Sequence, residues 1–296
     1  MFSRLCIVGV GLIGGSLARA LRASGADGEI VGHGRDAGHL ARAVDLGVID
    51  RGSTVLAEAV DGADLVVLAT PLGAMRALFA ELRGHLPPDC VVTDVGSSKG
   101  SVVADARAGL SPAQLARFVP GHPIAGTEKS GVEASFATLF RERRVILTPL
   151  PENPPEAVAR VRALWRVAGS DVNEMSVAHH DMVLAATSHL PHMLAYTLVD
   201  TLARMHDKDE IFGYAAGGFR DFTRIASSDP VMWRDVCLAN RDAILDMIER
   251  FQADLALLAD AIRRGDDAVL SEVFERAKRS RDRHAAQLEA SAGVIE

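Results

Sequence analysis

A glycine-rich turn near the start of the chain is the first feature that could do chemistry. Gly9, Gly11 and Gly14 follow an apolar run and precede a helical pattern. In a turn of this spacing, the first glycine permits a tight bend, the second lets the backbone approach a pyrophosphate, and the third allows close packing of the helix. Free N–H groups at the start of that helix, near Leu12 and Ile13, then face the anion. The pattern predicts a dinucleotide-binding site and an oxidoreductase that uses a nicotinamide cofactor.

The end of the second predicted strand bears on the choice between NAD and NADP. A domain selective for NAD usually carries a carboxylate here to hold the ribose hydroxyls, but Gly34 offers none. Arg35 lies next to that position and suits a 2′-phosphate, which favours NADP or mixed use. The alternative is a solvated Arg35, with Asp36 supplying the ribose contact. Three later positions are also predicted to contact the cofactor: Thr70, Pro71 and Gly96.

An unusual loop around His122 is the second feature. Residues 121–128 are rich in glycine and proline, and His122 follows an apolar run. Together with other motifs, this loop resembles the prephenate and arogenate dehydrogenases of tyrosine biosynthesis. The motifs that carry the resemblance occur in order along nearly the whole chain, at residues 9–16, 94–100, 121–128, 188–192, 218–224 and 229–233.

The resemblance implies an oxidative decarboxylation. Hydride leaves the ring carbon that carries the hydroxyl of prephenate, the ring carboxylate departs as carbon dioxide, and the ring becomes aromatic. The protein has to take one proton, and a histidine with a pKa of about 6.5 is suited to do so as a neutral base. The resemblance assigns this role to His122. It also implies that Ser97 hydrogen-bonds both His122 and the substrate hydroxyl, next to the nicotinamide.

The two carboxylates of the substrate call for cations or several donors, because a buried carboxylate without partners is costly. Arg224 matches the substrate-binding arginine of the family, and its planar guanidinium suits a carboxylate. An ordinary surface ion pair with Asp221 is the alternative. On the loop after His122, Thr127 and Glu128 are assigned to the substrate site, and Glu128 is expected to pair with a cation across the cleft and control entry.

A histidine-rich segment provides further substrate contacts. Ser188 and His192 are four positions apart, and Pro191 fits an early helical turn, so both are expected to face one cleft. The resemblance implies that His192 donates to the side-chain ketone of prephenate, the alternative being a satisfied core histidine. It also implies that His180 lines the cleft. A metal site is disfavoured, since hydride transfer needs none; its ligands would be His179, His180, Asp181, His189 and His192.

The elements that must position these residues form two groups. The first half alternates apolar strands and helices, which predicts a doubly wound parallel sheet and an α/β fold. The predicted strands are 5–10, 29–32, 65–69, 91–94 and 145–148, and the sheet is completed by helix 155–168 and strand 172–175. Later segments have helical spacing, at 180–202, 230–258 and 267–292. We expect a dinucleotide-binding domain over 1–175, and a helical domain over 176–296 that binds substrate and forms a homodimer.

Composition excludes several classes of partner. With 48% hydrophobic residues, 24% charged residues and a net charge of −7, the chain has the character of a globular protein without affinity for nucleic acid or anionic membranes. It has no run of about 18 uncharged apolar residues that could span a bilayer. Cys6, Cys90 and Cys237 lie in apolar segments and are interpreted as reduced core residues of a cytoplasmic protein. The expected partner is a small-molecule substrate.

Two other functions share part of this pattern. Another two-domain dehydrogenase acting on a hydroxy acid would have the same architecture, but such enzymes usually rely on a catalytic lysine in the helical domain. Lys208 and Lys278 have no matching setting. A redox sensor needs only the glycine turn, so the presence of His122, Ser97 and Arg224 argues against it. The choice between prephenate and arogenate stays open, with an arogenate-specific enzyme as the alternative.

Overall fold

A computed structural model describes residues 2–292, with side chains as far as residue 285. A parallel six-stranded sheet organises its first half. The strands are β1 (Arg4–Val8), β2 (Glu29–His33), β3 (Arg51–Ser53), β4 (Leu65–Leu68), β5 (Val91–Asp94) and β6 (Phe118–Val119). They lie in the order β3, β2, β1, β4, β5, β6, which is the order of a doubly wound dinucleotide-binding fold. The predicted fold class is confirmed.

Apolar cores lie on both faces of this sheet. Successive residues of β1 enter opposite cores, Leu5 and Ile7 on one face and Cys6 and Val8 on the other, which explains why the strand is apolar without alternation. One face is covered by α1 (Leu12–Ala23), α2 (Ala37–Asp45) and α7 (Pro155–Val167). The other is covered by α3 (Leu56–Val60), α4 (Met75–Leu82) and α5 (Gly100–Gly109), and α6 (Pro112–Ala116) precedes β6.

A separate three-stranded sheet corrects the sequence-based topology. It contains β7 (Gly121–Pro123), β8 (Arg144–Leu147) and β9 (Asp171–Glu174), with β7 antiparallel and β9 parallel to β8. The prediction that strands 145–148 and 172–175 complete the main sheet is therefore wrong. In β9 only Val172 is buried, so this strand lacks the two apolar faces that a central parallel strand requires. The short strands β3, β6 and β7 were not predicted.

The helices that follow are more interrupted than predicted. Segment 180–202 is α8 (Val177–Leu184), a π-helical turn (Ala185–His189) and α9 (Leu190–Ala203). Two short helices, α10 (Lys208–Gly213) and α11 (Gly217–Thr223), and a 3-10 turn (Arg224–Ser227) were missed. Segment 230–258 is divided into α12 (Pro230–Ala239) and α13 (Arg241–Arg264). The break falls at Asn240, whose buried amide hydrogen-bonds the carbonyl of Asp181 and the ring of His189.

By its internal contacts the chain divides into one compact unit ending at Ile244 and another beginning at Leu245. The second unit contains most of α13 and the last helix, α14 (Asp267–Ala292). Its exposed apolar residues include Leu255, Leu257, Ile262 and Phe274. The sequence-based boundary after residue 175 stays a prediction. Among the described residues, no helix combines the length and apolar character needed to cross a membrane.

Candidate active site

The glycine turn joins the carboxyl end of β1 to α1. Gly9 has a φ of +97°, and a Cβ there would lie 2.4 Å from the carbonyl oxygen of Ala69. A Cβ on Gly14 would lie 2.2 Å from the carbonyl oxygen of Gly9, so only glycine lets α1 pack this close. A Cβ on Gly11, by contrast, would meet nothing within 4 Å. The turn is thus tight on its protein side and open at the start of α1.

This turn lies at the switch point of the sheet, between the adjacent strands β1 and β4. Ligands of open α/β sheets bind at this point, beyond the carboxyl ends of the strands. Thr70 and Pro71 lie just beyond β4, after Ala69, and the Thr70 methyl would be 3.1 Å from a Cβ on Gly9. Gly96 lies beyond β5 and donates its N–H to Asp94 at 2.8 Å. The predicted cofactor positions therefore gather at one edge of the sheet.

Shortly after β2, the carboxylate of Asp36 is engaged in hydrogen bonds to the protein's own backbone. Its carboxylate caps α2 by accepting the N–H of His39 at 3.0 Å. Backbone hydrogen bonds from His39 and Gly38 lower the pKa of this carboxyl group. Gly34 adds no side chain. Arg35 is exposed and, within residues 2–285, makes no side-chain hydrogen bond or ion pair. Of the two residues considered for cofactor selection, Arg35 is the one whose side chain is unengaged.

His122 lies in β7, half-buried and hydrogen-bonded to a second histidine. Its Nδ1 is 2.9 Å from Nε2 of His180, and Nδ1 of His180 is 2.8 Å from Asp181 Oδ1. Burial holds the pKa of His122 well below 6.5, and the nearby His180 and Lys99 lower it further. Nε2 of His122 has no hydrogen-bond partner in the described part of the chain. The arrangement offers a neutral imidazole with one available nitrogen.

His180 is wholly buried and therefore meets the site through His122 rather than through an open cleft. Nδ1 of His189 is 3.0 Å from the side-chain nitrogen of Asn240, and burial lowers the pKa of His189 to about 4. Both ring nitrogens of His180 and Nδ1 of His189 are thus engaged with protein groups, whereas Nε2 of His189 is buried without a hydrogen-bond partner among the described residues. Within the described residues, no group of three or more His, Cys, Asp and Glu side chains could hold a metal ion.

A buried ion pair fixes the strand that carries His122. Lys99 and Asp94 are wholly buried, and the ammonium of Lys99 contacts the Asp94 carboxylate and, at 2.7 Å, the carbonyl oxygen of Gly121. Asp94 also accepts the N–H of Gly121 at 3.1 Å. The end of β5 is therefore tied to the residue directly before His122. Sequence reasoning missed this pair, although opposite charges five positions apart after an apolar strand were a usable signal.

Ser97 is half-buried in the loop between β5 and α5. Within residues 2–285 no hydrogen bond joins Ser97 to His122: Nδ1 of His122 contacts His180, and Nε2 has no partner. The predicted hydrogen bond between Ser97 and His122 is not formed here. The neighbouring Ser98 is wholly buried, and its hydroxyl donates to the carbonyl of Ala239 at 3.3 Å.

Ser188 and His192 are joined across one helical turn. Nδ1 of His192 is 2.9 Å from the carbonyl oxygen of Ser188, and the imidazole stacks on Trp233 with ring centroids 3.7 Å apart. Pro191 occupies the first turn of α9, as predicted. Because a carbonyl oxygen only accepts, Nδ1 of His192 must carry a proton. Burial lowers the pKa of His192, so its neutral ring presents Nε2 as an acceptor.

Arg224 and Glu128 form an ion pair across the site. Arg224 begins the 3-10 turn after α11, and its guanidinium contacts the Glu128 carboxylate rather than that of Asp221. The Arg224 side chain is 63% exposed, so it remains accessible to an anion from solvent. The Thr127 hydroxyl accepts the N–H of Lys129 at 3.2 Å. Arg224 is thus the cation with which Glu128 pairs.

The sheet order, the glycine turn and a neutral histidine at the same edge define a dinucleotide-dependent oxidoreductase. Residues 17–174 match the family model of the prephenate dehydrogenase nucleotide-binding domain, and residues 176–276 match that of the prephenate dehydrogenase dimerization domain. The chain belongs to the prephenate dehydrogenase family. Of the two lysines considered for a hydroxy-acid dehydrogenase, Lys278 is paired with Asp282, and Lys208 is exposed at the start of α10.

Two relatives and one crystal structure are similar to this chain over 95% of its length. A cyclohexadienyl dehydrogenase of Zymomonas mobilis is 40% identical over 95% of this chain and 96% of its own length. A prephenate dehydrogenase of Bacillus subtilis is 36% identical over 95% of this chain and 76% of its own. The crystal structure of Aquifex aeolicus prephenate dehydrogenase with hydroxyphenyl propionate and NAD+ has a TM-score of 0.89 at 42% identity, covering 95% of this chain and 98% of that one.

Proposed function

We propose that this protein oxidises prephenate to 4-hydroxyphenylpyruvate in tyrosine biosynthesis, with loss of carbon dioxide and hydride transfer to NAD or NADP. The observation that carries the proposal is His122, a neutral histidine with an available Nε2 on β7, the strand that Asp94 ties to the carboxyl end of β5. Relatives named for prephenate and cyclohexadienyl dehydrogenase activity, which align over most of this chain, support the same chemistry.

The glycine turn fits the pyrophosphate of the cofactor. Gly11 caps α1 without a side-chain hydrogen bond, which leaves the first N–H groups of the helix available to an anion. The space beside Gly11 would hold the phosphates against the backbone. When bound, the nicotinamide supplies the hydride acceptor. We assign cofactor contacts to Gly9, Gly11, Leu12, Ile13, Gly14, Gly34, Arg35, Thr70, Pro71 and Gly96.

His122 acts as the general base. Its Nε2 accepts the proton of the substrate hydroxyl as hydride leaves the same carbon. The bonding pair of the ring carboxylate then enters the ring, so that carbon dioxide departs and the ring becomes aromatic, and the resulting phenolate oxygen takes the proton back from His122. Because the pKa of His122 lies below 6.5, the base is unprotonated at neutral pH. Ser97 keeps its assignment to the substrate hydroxyl.

Arg224 binds a substrate carboxylate. Its guanidinium contacts Glu128 in this structure. An incoming substrate carboxylate would displace Glu128 and form a bidentate pair with Arg224. Because the substrate has to displace the Glu128 carboxylate from Arg224, this ion pair would control entry of the substrate into the site. Thr127, Ser188 and the partly buried His192 complete the proposed substrate contacts. His180, which was assigned to this set, acts through His122.

The form of His192 bears on the choice of substrate. A neutral His192 with its proton on Nδ1 accepts at Nε2, which suits the ammonium of arogenate. Donation to the ketone of prephenate requires the protonated ring. The neutral ring thus favours arogenate, whereas a relative at 36% identity is named for prephenate dehydrogenase activity. We propose that the protein uses both substrates rather than one exclusively.

The cofactor site tolerates NADP. Asp36 is engaged as a helix cap, whereas Arg35 is exposed and could clamp a 2′-phosphate. Steady-state kinetics over the four combinations of two substrates and two cofactors tests these assignments together. The proposal expects reduced nicotinamide and carbon dioxide in equal amounts with prephenate. Absence of reduced nicotinamide with both substrates would refute it.

We also propose a homodimer formed by the helical region, with 1–175 as the cofactor domain and 176–296 as the substrate and dimerisation domain. The family model that matches 176–276 is that of a dimerization domain. The exposed apolar residues of α13 and α14 provide surface for a second copy. Analytical ultracentrifugation should give twice the 31.5 kDa mass of one chain, and a monomer at micromolar concentration would contradict the proposal.

A further inference from the structure

We propose that Asp181 and His180 are positioning residues, which keep His122 protonated on Nδ1 and thereby leave Nε2 free to accept the substrate proton. This inference rests on the proposed function, because it concerns the histidine assigned as the base. Its geometric basis is the chain of hydrogen bonds from Asp181 through His180 to His122, at 2.8 and 2.9 Å.

Asp181 is anchored by backbone as well as by His180. Its Oδ1 accepts the N–H of Lys99 at 2.8 Å, and its Oδ2 accepts the N–H of Gly100 at 2.7 Å. Burial raises the pKa of Asp181, but the hydrogen bonds from His180 and from these two N–H groups outweigh it and lower the pKa overall. Asp181 is therefore a carboxylate, and a carboxylate only accepts hydrogen bonds.

The protonation of His180 follows from that of Asp181. Because Asp181 accepts, Nδ1 of His180 must carry a proton. Burial is the largest effect on the pKa of His180 and lowers it overall, with the nearby ammonium of Lys99 acting in the same direction. The hydrogen bond to Asp181 and the charges of Asp181 and Asp94 oppose this shift without reversing it. Nε2 of the neutral His180 is consequently a lone pair that faces Nδ1 of His122 at 2.9 Å.

His122 must then donate through Nδ1. The charged and titratable groups around His122 are Lys99 from the loop before α5, His180 from α8 and His189 from the π-helical turn, and all three disfavour its protonation. A neutral ring that donates through Nδ1 has its lone pair on Nε2. The alternative, an imidazolium at His180 donating to His122, would leave His122 with a protonated Nε2 and no basic nitrogen.

Two substitutions at His180 separate positioning from packing. In His180→Gln the amide N–H can donate to Asp181 and the amide oxygen can accept from His122, so the tautomer is kept. In His180→Leu neither bond forms. We expect His180→Gln to keep kcat within about threefold of wild type and His180→Leu to lower it about 100-fold, the scale of general-base catalysis, with KM for prephenate unchanged. The matched control is His179→Gln, an exposed neighbour on the same helix.

Nuclear magnetic resonance of 15N-histidine protein reads the tautomer without turnover. The His122 signals are identified by their loss in His122→Asn. Wild type should show the proton on Nδ1 of His122, His180→Gln should retain it, and His180→Leu should populate the Nε2 form. A proton on Nε2 of His122 in wild type, or equal kcat in the Leu and Gln variants, would overturn the positioning role. Failure to oxidise prephenate would instead refute the proposed function and leave the tautomer result standing.

Discussion

Replacement of Lys99 by Met should strongly destabilise the first compact unit. Methionine matches the unbranched shape of lysine but removes the ammonium that contacts the Asp94 carboxylate and the carbonyl of Gly121. Both members of the pair are wholly buried, so the remaining carboxylate cannot turn to solvent. It would keep only its hydrogen bonds from the N–H groups of Gly96 and Gly121.

The size of the effect follows from the cost of an uncompensated buried charge. Breaking a buried pair by removing one partner costs about 3–5 kcal/mol, and a unit of this size loses about 2–4 °C of Tm per kcal/mol. We therefore expect Lys99→Met to lower Tm by roughly 6–20 °C. The double variant Asp94→Asn/Lys99→Met should recover more than half of the loss, because no unpaired charge remains.

Differential scanning calorimetry of the wild type, the two single variants and the double variant measures this coupling. Lys129→Met is the matched control, because Lys129 is exposed and should leave Tm within about 2 °C of wild type. A loss below about 1 kcal/mol in Lys99→Met would show that the ammonium is not needed to neutralise Asp94. A double variant less stable than Lys99→Met would lead to the same conclusion.

Three further predictions concern the cofactor and the base. A methyl group at Gly14 would lie 2.2 Å from a backbone oxygen of the same turn, so Gly14→Ala should weaken NAD+ binding in calorimetric titration, whereas Gly84→Ala, in open space, should not. Arg35→Ser should weaken NADP+ binding about 10- to 100-fold, the value of a charged hydrogen bond, and leave NAD+ unaffected; equal effects on both would contradict the assignment. The neutral form of His122 is the active one, and it is lost only as the pH falls through the pKa of the folded protein. Because that pKa is lowered, the fall of kcat/KM on the acidic side should lie below pH 6.5. A fall that already occurs above pH 6.5 would argue against His122 as the base.

Local sequence patterns predicted the elements whose environment is uniform along the chain. Residues of β1 and β4 are buried on both faces, so unbroken apolar runs marked them as central parallel strands. The glycine turn was equally legible, because the steric demands at Gly9 and Gly14 arise from neighbours close in the fold and permit no other residue. The demand at Gly14 comes from Gly9 in the same turn, whereas that at Gly9 comes from Ala69 after β4 and was inferred from the spacing of the glycines rather than from this contact.

Contacts between distant segments were not predictable in the same way. The strand β9 has a single buried residue and was placed in the wrong sheet, because register and partner are set by β8 rather than by its own sequence. The helix break at Asn240 depends on bonds to Asp181 and His189, which lie 59 and 51 positions away. The partner of His122 was assigned to Ser97, whereas the structure brings His180 to its Nδ1 from 58 positions away.

The general-base role of His122 is the central claim, and turnover of His122→Asn tests it most directly. The assay follows reduced nicotinamide with prephenate and NAD+ at neutral pH, with the exposed His85→Asn as the matched control. The account predicts that His122→Asn lowers kcat at least about 100-fold while KM for prephenate and the affinity for NAD+ change little, and that His85→Asn behaves as wild type. Full turnover by His122→Asn would contradict it.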